Sequence, residues 1–70
     1  MTNVNLLKSA MAKVGDTAFV ECLIMLLDVS RSTASNKLNG KREFKQSEIA
    51  KIAERYNLSP EDIKQIFVGE

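Results

Sequence analysis

The side chains best suited to recognition chemistry lie close together, between Ser30 and Arg42. Ser30 is a favoured first residue of a helix, because its hydroxyl accepts a hydrogen bond from an unpaired backbone N–H of the first turn. Gly40 supplies the positive φ that commonly ends a helix. Between them only Ala34 and Leu38 are apolar, four residues apart, so the buried stripe is narrow. The rest of this segment is polar and includes Arg31, Ser32, Thr33, Ser35, Asn36, Lys37 and Asn39. We expect such a helix to contact a polar partner.

The charge distribution adds to this expectation. The net charge is only +1, but residues 31–45 hold five cations and one acid. Residues 1–30 hold two cations and three acids, and residues 46–70 hold three cations and five acids. A local excess of Lys and Arg is typical of a surface that contacts phosphates. A solvated basic loop, which includes Lys41 and Arg42, is the alternative interpretation.

The composition argues against several classes of function. The chain has one cysteine, Cys22, and no histidine, so we expect no disulfide framework, no metal site and no cofactor. It also lacks a phosphate-binding Gly-rich loop and a credible pair of nucleophile and base, so we expect neither an enzyme nor a small-molecule substrate. The start shows no signal peptide, and the longest apolar run, Cys22 to Leu27, is too short to cross a bilayer. We expect a soluble, cytoplasmic protein with no membrane partner.

The periodicity of apolar residues predicts one all-α domain over residues 1–70. For example, Ile49, Ile52 and Tyr56 recur at helical spacing, and Ser59 followed by Pro is a strong helix start. We expect Thr2 or Asn3 to cap the first helix, Asp16 to cap the second, Phe44 to return to the core and Gly69 to end the fifth helix. The five predicted helices cover approximately residues 4–14, 17–27, 31–38, 46–56 and 60–67.

The second and third predicted helices, joined by a tight turn, make a helix-turn-helix unit. The segments most similar to a known family are Val29-Ser-Arg-Ser-Thr-Ala-Ser-Asn-Lys-Leu-Asn-Gly-Lys41, then Phe44, Glu48-Ile49 and Tyr56-Asn-Leu-Ser-Pro-Glu61. In these segments the chain resembles the Cro/C1-type (Xre-like) family, and in particular its small phage-encoded transcriptional regulators. The resemblance implies a compact, five-helix, lambda-repressor-like domain in the cytoplasm of a bacterial host.

The resemblance also implies which side chains would contact operator DNA, because the third helix of that family enters the major groove. The positions that contact base edges correspond to Arg31, Ser32, Ser35 and Asn36. The positions nearer the phosphates correspond to Thr33, Lys37, Asn39, Lys41 and Arg42. A solvated polar surface is the alternative for all of them. If DNA is bound, the small size of one domain favours a homodimer on a two-part operator.

The second helix departs from the family's pattern. A phosphate-anchoring Gln is usual near its start, where this chain has Val20; Ile24 replaces a usual Ala, and Asp28 a usual turn Gly. The helix is apolar nearly all round, so we expect part of it to remain exposed as a dimer or partner surface. The alternative is that the first and fifth helices cover it. The candidate surface residues are Phe19, Val20, Ile24, Met25 and Leu26. This surface gives a second hypothesis, an antirepressor or modulator that binds a partner repressor protein and alters its DNA binding. A third, weaker hypothesis is a dimerisation module without DNA contact.

Overall fold

The computed structural model describes residues 2–68, and within that range every regular element is helical. The predicted all-α fold with five helices is confirmed. The helices are α1 (Val4–Lys13), α2 (Phe19–Leu27), α3 (Arg31–Leu38), α4 (Gln46–Tyr56) and α5 (Pro60–Ile63), and α5 continues as a π-helical turn over Lys64–Val68. The expected stop at Gly69 lies outside the described residues. No helix in the described range is long and apolar enough to cross a membrane.

Side-chain caps define the first and last helices. Asn3 Oδ1 accepts a hydrogen bond from the Leu6 N–H at 3.1 Å, so Asn3, one of the two predicted residues, caps α1. At α5, Ser59 Oγ accepts from the Asp62 N–H, and Asp62 Oδ2 accepts from the Ser59 N–H, both at 3.1 Å. This reciprocal pair satisfies two backbone donors that the helix itself cannot satisfy.

The prediction that Asp16 caps α2 is wrong. The helix begins at Phe19, not at residue 17, and its first cap residue, Ala18, offers no side-chain acceptor. The Asp16 carboxylate instead accepts hydrogen bonds from Tyr56 Oη at 2.7 Å and from Arg55 Nη2 at 3.0 Å. The Tyr56 hydroxyl and then the Arg55 guanidinium lower the pKa of Asp16. Asp16 therefore fastens the α1–α2 connection to the end of α4.

The core lies where all five helices converge, and it is largely aliphatic. Phe44, from the loop between α3 and α4, is buried as predicted and packs edge-on against Phe67, with ring centroids 5.5 Å apart. The other buried apolar residues are Leu7, Met11, Leu23, Leu27, Ala34, Leu38, Ile52, Tyr56 and Ile66. Helix α5 adds the half-buried Ile63, which packs against this cluster. Helices this short owe most of their stability to such packing.

The last helical segment differs from the prediction of a continuous α-helix. It widens to π-helical geometry from Lys64, and two successive residues, Ile66 and Phe67, are both buried. The Ile66 carbonyl also accepts a hydrogen bond from the Asn3 N–H at 2.6 Å. The final segment thus closes the core and joins the start of α1.

Candidate nucleic-acid interface

Helix α3 is attached to the domain by a tight turn from α2. Asp28 ends α2 in the left-handed conformation, with φ 56° and ψ 51°, and its N–H donates to the Ile24 carbonyl at 2.9 Å. Asp tolerates this conformation better than most residues, so Asp28 can occupy the turn position at which the Cro/C1-type family usually has Gly. Two residues later, Ser30 Oγ accepts from the Thr33 N–H at 3.2 Å and caps α3. Helices α2 and α3 are therefore joined by a tight turn, as the predicted helix-turn-helix unit requires.

The packing of α3 leaves a polar face outward. Ala34, Lys37 and Leu38 are buried, and they are the three residues that α3 directs into the domain. The four predicted base-contacting residues lie away from the core: Arg31 and Ser32 are exposed, and Ser35 and Asn36 are half-buried. The structure therefore leaves these four side chains at or near the surface.

The loop after α3 keeps its two cations beside the helix. The Asn36 carbonyl accepts hydrogen bonds from the Lys41 N–H at 2.8 Å and from the Arg42 N–H at 3.3 Å. Gly40 permits this fold-back because it adopts a φ of 80°. Lys41 and Arg42 are both exposed, so their charges lie at the surface next to the C-terminal end of α3.

Lys37 does not fit its predicted role as a phosphate contact. Its side chain is only 2% exposed, and its ammonium forms a buried ion pair with Glu48 Oε1 of α4. The ammonium also lies 5.9 Å from the centre of the Phe44 ring. A lysine so placed cannot reach DNA while the fold is intact, so we exclude it from the candidate interface.

Glu48 holds two elements together at this point. Besides the Lys37 ammonium, its Oε1 atom accepts the backbone N–H of Lys45 at 2.8 Å, at the start of α4. Burial opposes ionisation of the carboxyl group. The hydrogen bonds from Lys37 and Lys45, together with their charges, outweigh burial and lower the pKa of Glu48. Glu48 therefore stays ionised and links α3 to α4.

Two other predicted phosphate contacts use their polar atoms partly within the helix. Thr33 Oγ1 accepts from the Ser30 hydroxyl at 3.0 Å, and Asn39 Nδ2 donates to Ser35 Oγ at 3.4 Å. Thr33 is half-buried, whereas Asn39 is exposed. Asn39 therefore remains the more accessible of the two for a phosphate oxygen.

Arg31 has a partner that its sequence position did not indicate. Its Nη1 donates to Glu21 Oε2 of α2 at 2.8 Å, in a salt bridge whose side chains are 66% and 55% exposed. The Arg31 hydrogen bond is the main cause of a lowered pKa of Glu21. Glu21 is the only charged residue in α2, and this was the one feature of the sequence that could have marked it as a functional residue.

The predicted partner surface on α2 is narrower in the structure. Of its five residues only Met25 is exposed, at 85%, while Phe19, Val20, Ile24 and Leu26 are half-buried and pack against the core. The Lys8 ammonium lies 5.5 Å from the centre of the Phe19 ring and covers part of it. The structure therefore leaves one isolated methionine rather than a broad apolar patch.

Comparison with known proteins agrees with this geometry. The chain matches the BetR domain over residues 4–66, which is nearly the whole described range. It matches no curated protein and no solved structure. The resemblance to the Cro/C1-type group specifically stays a prediction. The chain belongs to the BetR domain family, a small, helical, helix-turn-helix-like regulatory family.

Proposed function

We propose that the protein is a transcriptional regulator that binds operator DNA through α3, in the manner of small phage-type repressors. The observation that carries the proposal is the division of α3 into a packed side and an outward polar side. Arg31 has the donor geometry for guanine and Asn36 for adenine, and Ser32 or Ser35 can bond to either base. Each good bidentate pair contributes roughly 1–3 kcal/mol of discrimination.

The phosphate contacts in this proposal come from the end of α3 and the following loop. Lys41 and Arg42 carry the accessible positive charge, and Asn39 adds an amide donor. These groups would fix the position of the helix on the duplex without selecting sequence. Since two cations release few counterions, a single domain would bind weakly, which favours a homodimer on a two-part operator.

The experiment that tests the proposal is selection of binding sites from a random duplex library, followed by fluorescence anisotropy on the enriched site. We expect Asn36→Ala to weaken binding to that site by about tenfold, with a smaller change on unrelated DNA. Lys51→Ala is the control, because Lys51 is an exposed residue of α4 and is not one of the proposed DNA contacts. Circular dichroism should show that both variants stay folded. A library that yields no enriched site would contradict the proposal.

Met25 favours a second candidate function, in which the domain acts by binding a partner repressor. At 85%, its side chain is the most exposed of the large apolar side chains within residues 2–68. In that case Met25→Gln, which keeps the length of the side chain, should abolish binding of the partner or of a second copy. Sedimentation of the wild type and the variant alone tests for binding of a second copy. Sedimentation of each with a partner repressor tests for binding of that protein. Unchanged behaviour of Met25→Gln with both would exclude this function.

A further inference from the structure

The exposed pair between Glu21 and Arg31 connects the two helices of the helix-turn-helix. Arg31 is the first residue of α3, and Glu21 lies in the first turn of α2. Both side chains are more than half exposed, so the pair contributes little to stability. We propose that Glu21 is a specificity-determining residue, which holds the Arg31 guanidinium for a guanine edge and away from phosphates. This inference rests on the proposed DNA-binding function.

The geometry of the pair leaves the donors needed for guanine. A guanidinium carries five N–H donors, and Glu21 Oε2 accepts one of them, from Nη1. Within residues 2–68 the structure gives Arg31 no second hydrogen-bond partner, so Nε and Nη2 remain available. A bidentate contact with O6 and N7 of guanine needs two donors. Glu21 can therefore keep its hydrogen bond while Arg31 contacts the base.

The charge of Glu21 supplies the selectivity. Phosphate oxygens are anionic, so an Arg31–phosphate contact would bring the Glu21 carboxylate towards a like charge, which is unfavourable. The guanine acceptors O6 and N7 are neutral and carry no such penalty. The carboxylate therefore weakens the sequence-independent contacts between Arg31 and phosphates, and it does not weaken the contact with guanine. Holding the guanidinium in place also reduces the side-chain entropy lost when the base contact forms.

The test compares the wild type with Glu21→Gln, which keeps the shape of the side chain and removes its charge. Binding is measured by anisotropy on the selected site, on the same site with the guanine opposite Arg31 replaced, and on unrelated DNA, across a salt series. We expect Glu21→Gln to bind unrelated DNA more tightly and to lose about tenfold in discrimination for that guanine. The slope of log Kobs against log salt should steepen by about 0.9 if Arg31 gains one phosphate.

Two further variants make the result specific. Glu54→Gln removes an exposed carboxylate of α4 that is not paired with Arg31, and it should change neither the discrimination nor the salt slope. Arg31→Ala should lose the guanine preference entirely. Retention of the preference and salt slope in Glu21→Gln, while Arg31→Ala loses the preference, would overturn the role of Glu21 and leave the proposed function intact. Failure of the wild type to select any site would overturn both.

Discussion

The buried ion pair between Lys37 and Glu48 makes a strong prediction about stability. Lys37→Met keeps most of the apolar stem and removes the ammonium, so the Glu48 carboxylate loses its charged partner inside the domain. Breaking a buried pair by removing one member costs roughly 3–5 kcal/mol. Glu48 retains the Lys45 N–H at 2.8 Å and lies in the first turn of α4, where the helix dipole favours a carboxylate. We therefore expect a loss of about 3 kcal/mol in the free energy of unfolding.

Urea unfolding followed by circular dichroism measures this loss, and a double-mutant cycle isolates the pair. Glu48→Gln alone, and Lys37→Met with Glu48→Gln, complete the cycle. The double variant should be more stable than Lys37→Met, because no uncompensated charge remains buried. Lys41→Met is the matched control: Lys41 is exposed, so its substitution should change stability by less than about 0.5 kcal/mol. A coupling free energy below about 0.5 kcal/mol would refute the buried pair.

The pH dependence gives an independent check on the same pair. The pKa of Glu48 is lowered from 4.5 in the folded state, so its stabilisation is present above pH 4.5 and is lost as pH falls through the folded value. In Lys37→Met the hydrogen bond that lowers this pKa is gone, and burial still raises it. The difference in stability between wild type and Lys37→Met should therefore narrow as pH falls below 4.5. A difference that stays constant from pH 7 to pH 3 would contradict the assignment.

Three other predictions follow from single contacts. Ser30→Ala removes the cap of α3 and should lower the free energy of unfolding by about 1 kcal/mol, or Tm by about 4–8 °C. Ser32→Ala, two residues further on, leaves this cap in place and should not; equal Tm values for the two variants would contradict the cap. Leu23→Ala leaves a cavity at a fully buried site and should lower the free energy of unfolding by about 2–5 kcal/mol, measured by denaturant titration. A loss below about 1 kcal/mol would contradict this. The pKa of Asp16 is lowered from 3.8, so its stabilisation is present above pH 3.8 and is lost as pH falls through the lower folded-state pKa. Asp16→Asn should therefore be less stable than wild type at pH 7, and the difference should narrow below pH 3.8; parallel stability curves would contradict this.

The helices of this domain were largely predictable because their signals are local. Apolar spacing defined α4, and Ser30 and Ser59 marked starts that the structure retains. The misassignment at Asp16 arose from a contact that sequence spacing does not show, since its partners Arg55 and Tyr56 lie about forty residues further along the chain. Asp16 has a side chain suited to capping a helix, but it bonds to α4 instead.

The polar residues of the candidate site could be predicted from the sequence, but the ion pairs that they form could not. The polar side chains of α3 stood out, but Lys37 was indistinguishable in sequence from its exposed neighbours Lys41 and Arg42. On a helix, Lys37 follows Ala34 by three residues and precedes Leu38, so its position is at the edge of the buried stripe. Only the presence of Glu48 on the next helix explains why its charge can be buried there.

The two sides of α3 separate two properties that selection can act on. Its attachment depends on the buried residues Ala34, Lys37 and Leu38, whereas its outward side carries polar residues that are exposed or half-buried. Substitutions at exposed positions usually change stability by less than about 0.5 kcal/mol. If α3 binds DNA as proposed, descendants of this chain could therefore acquire new target sequences by substitutions at the exposed positions 31 and 32, with little change in the stability of the fold. The inward residues would constrain the shape of the domain, and the outward ones would be free to diverge.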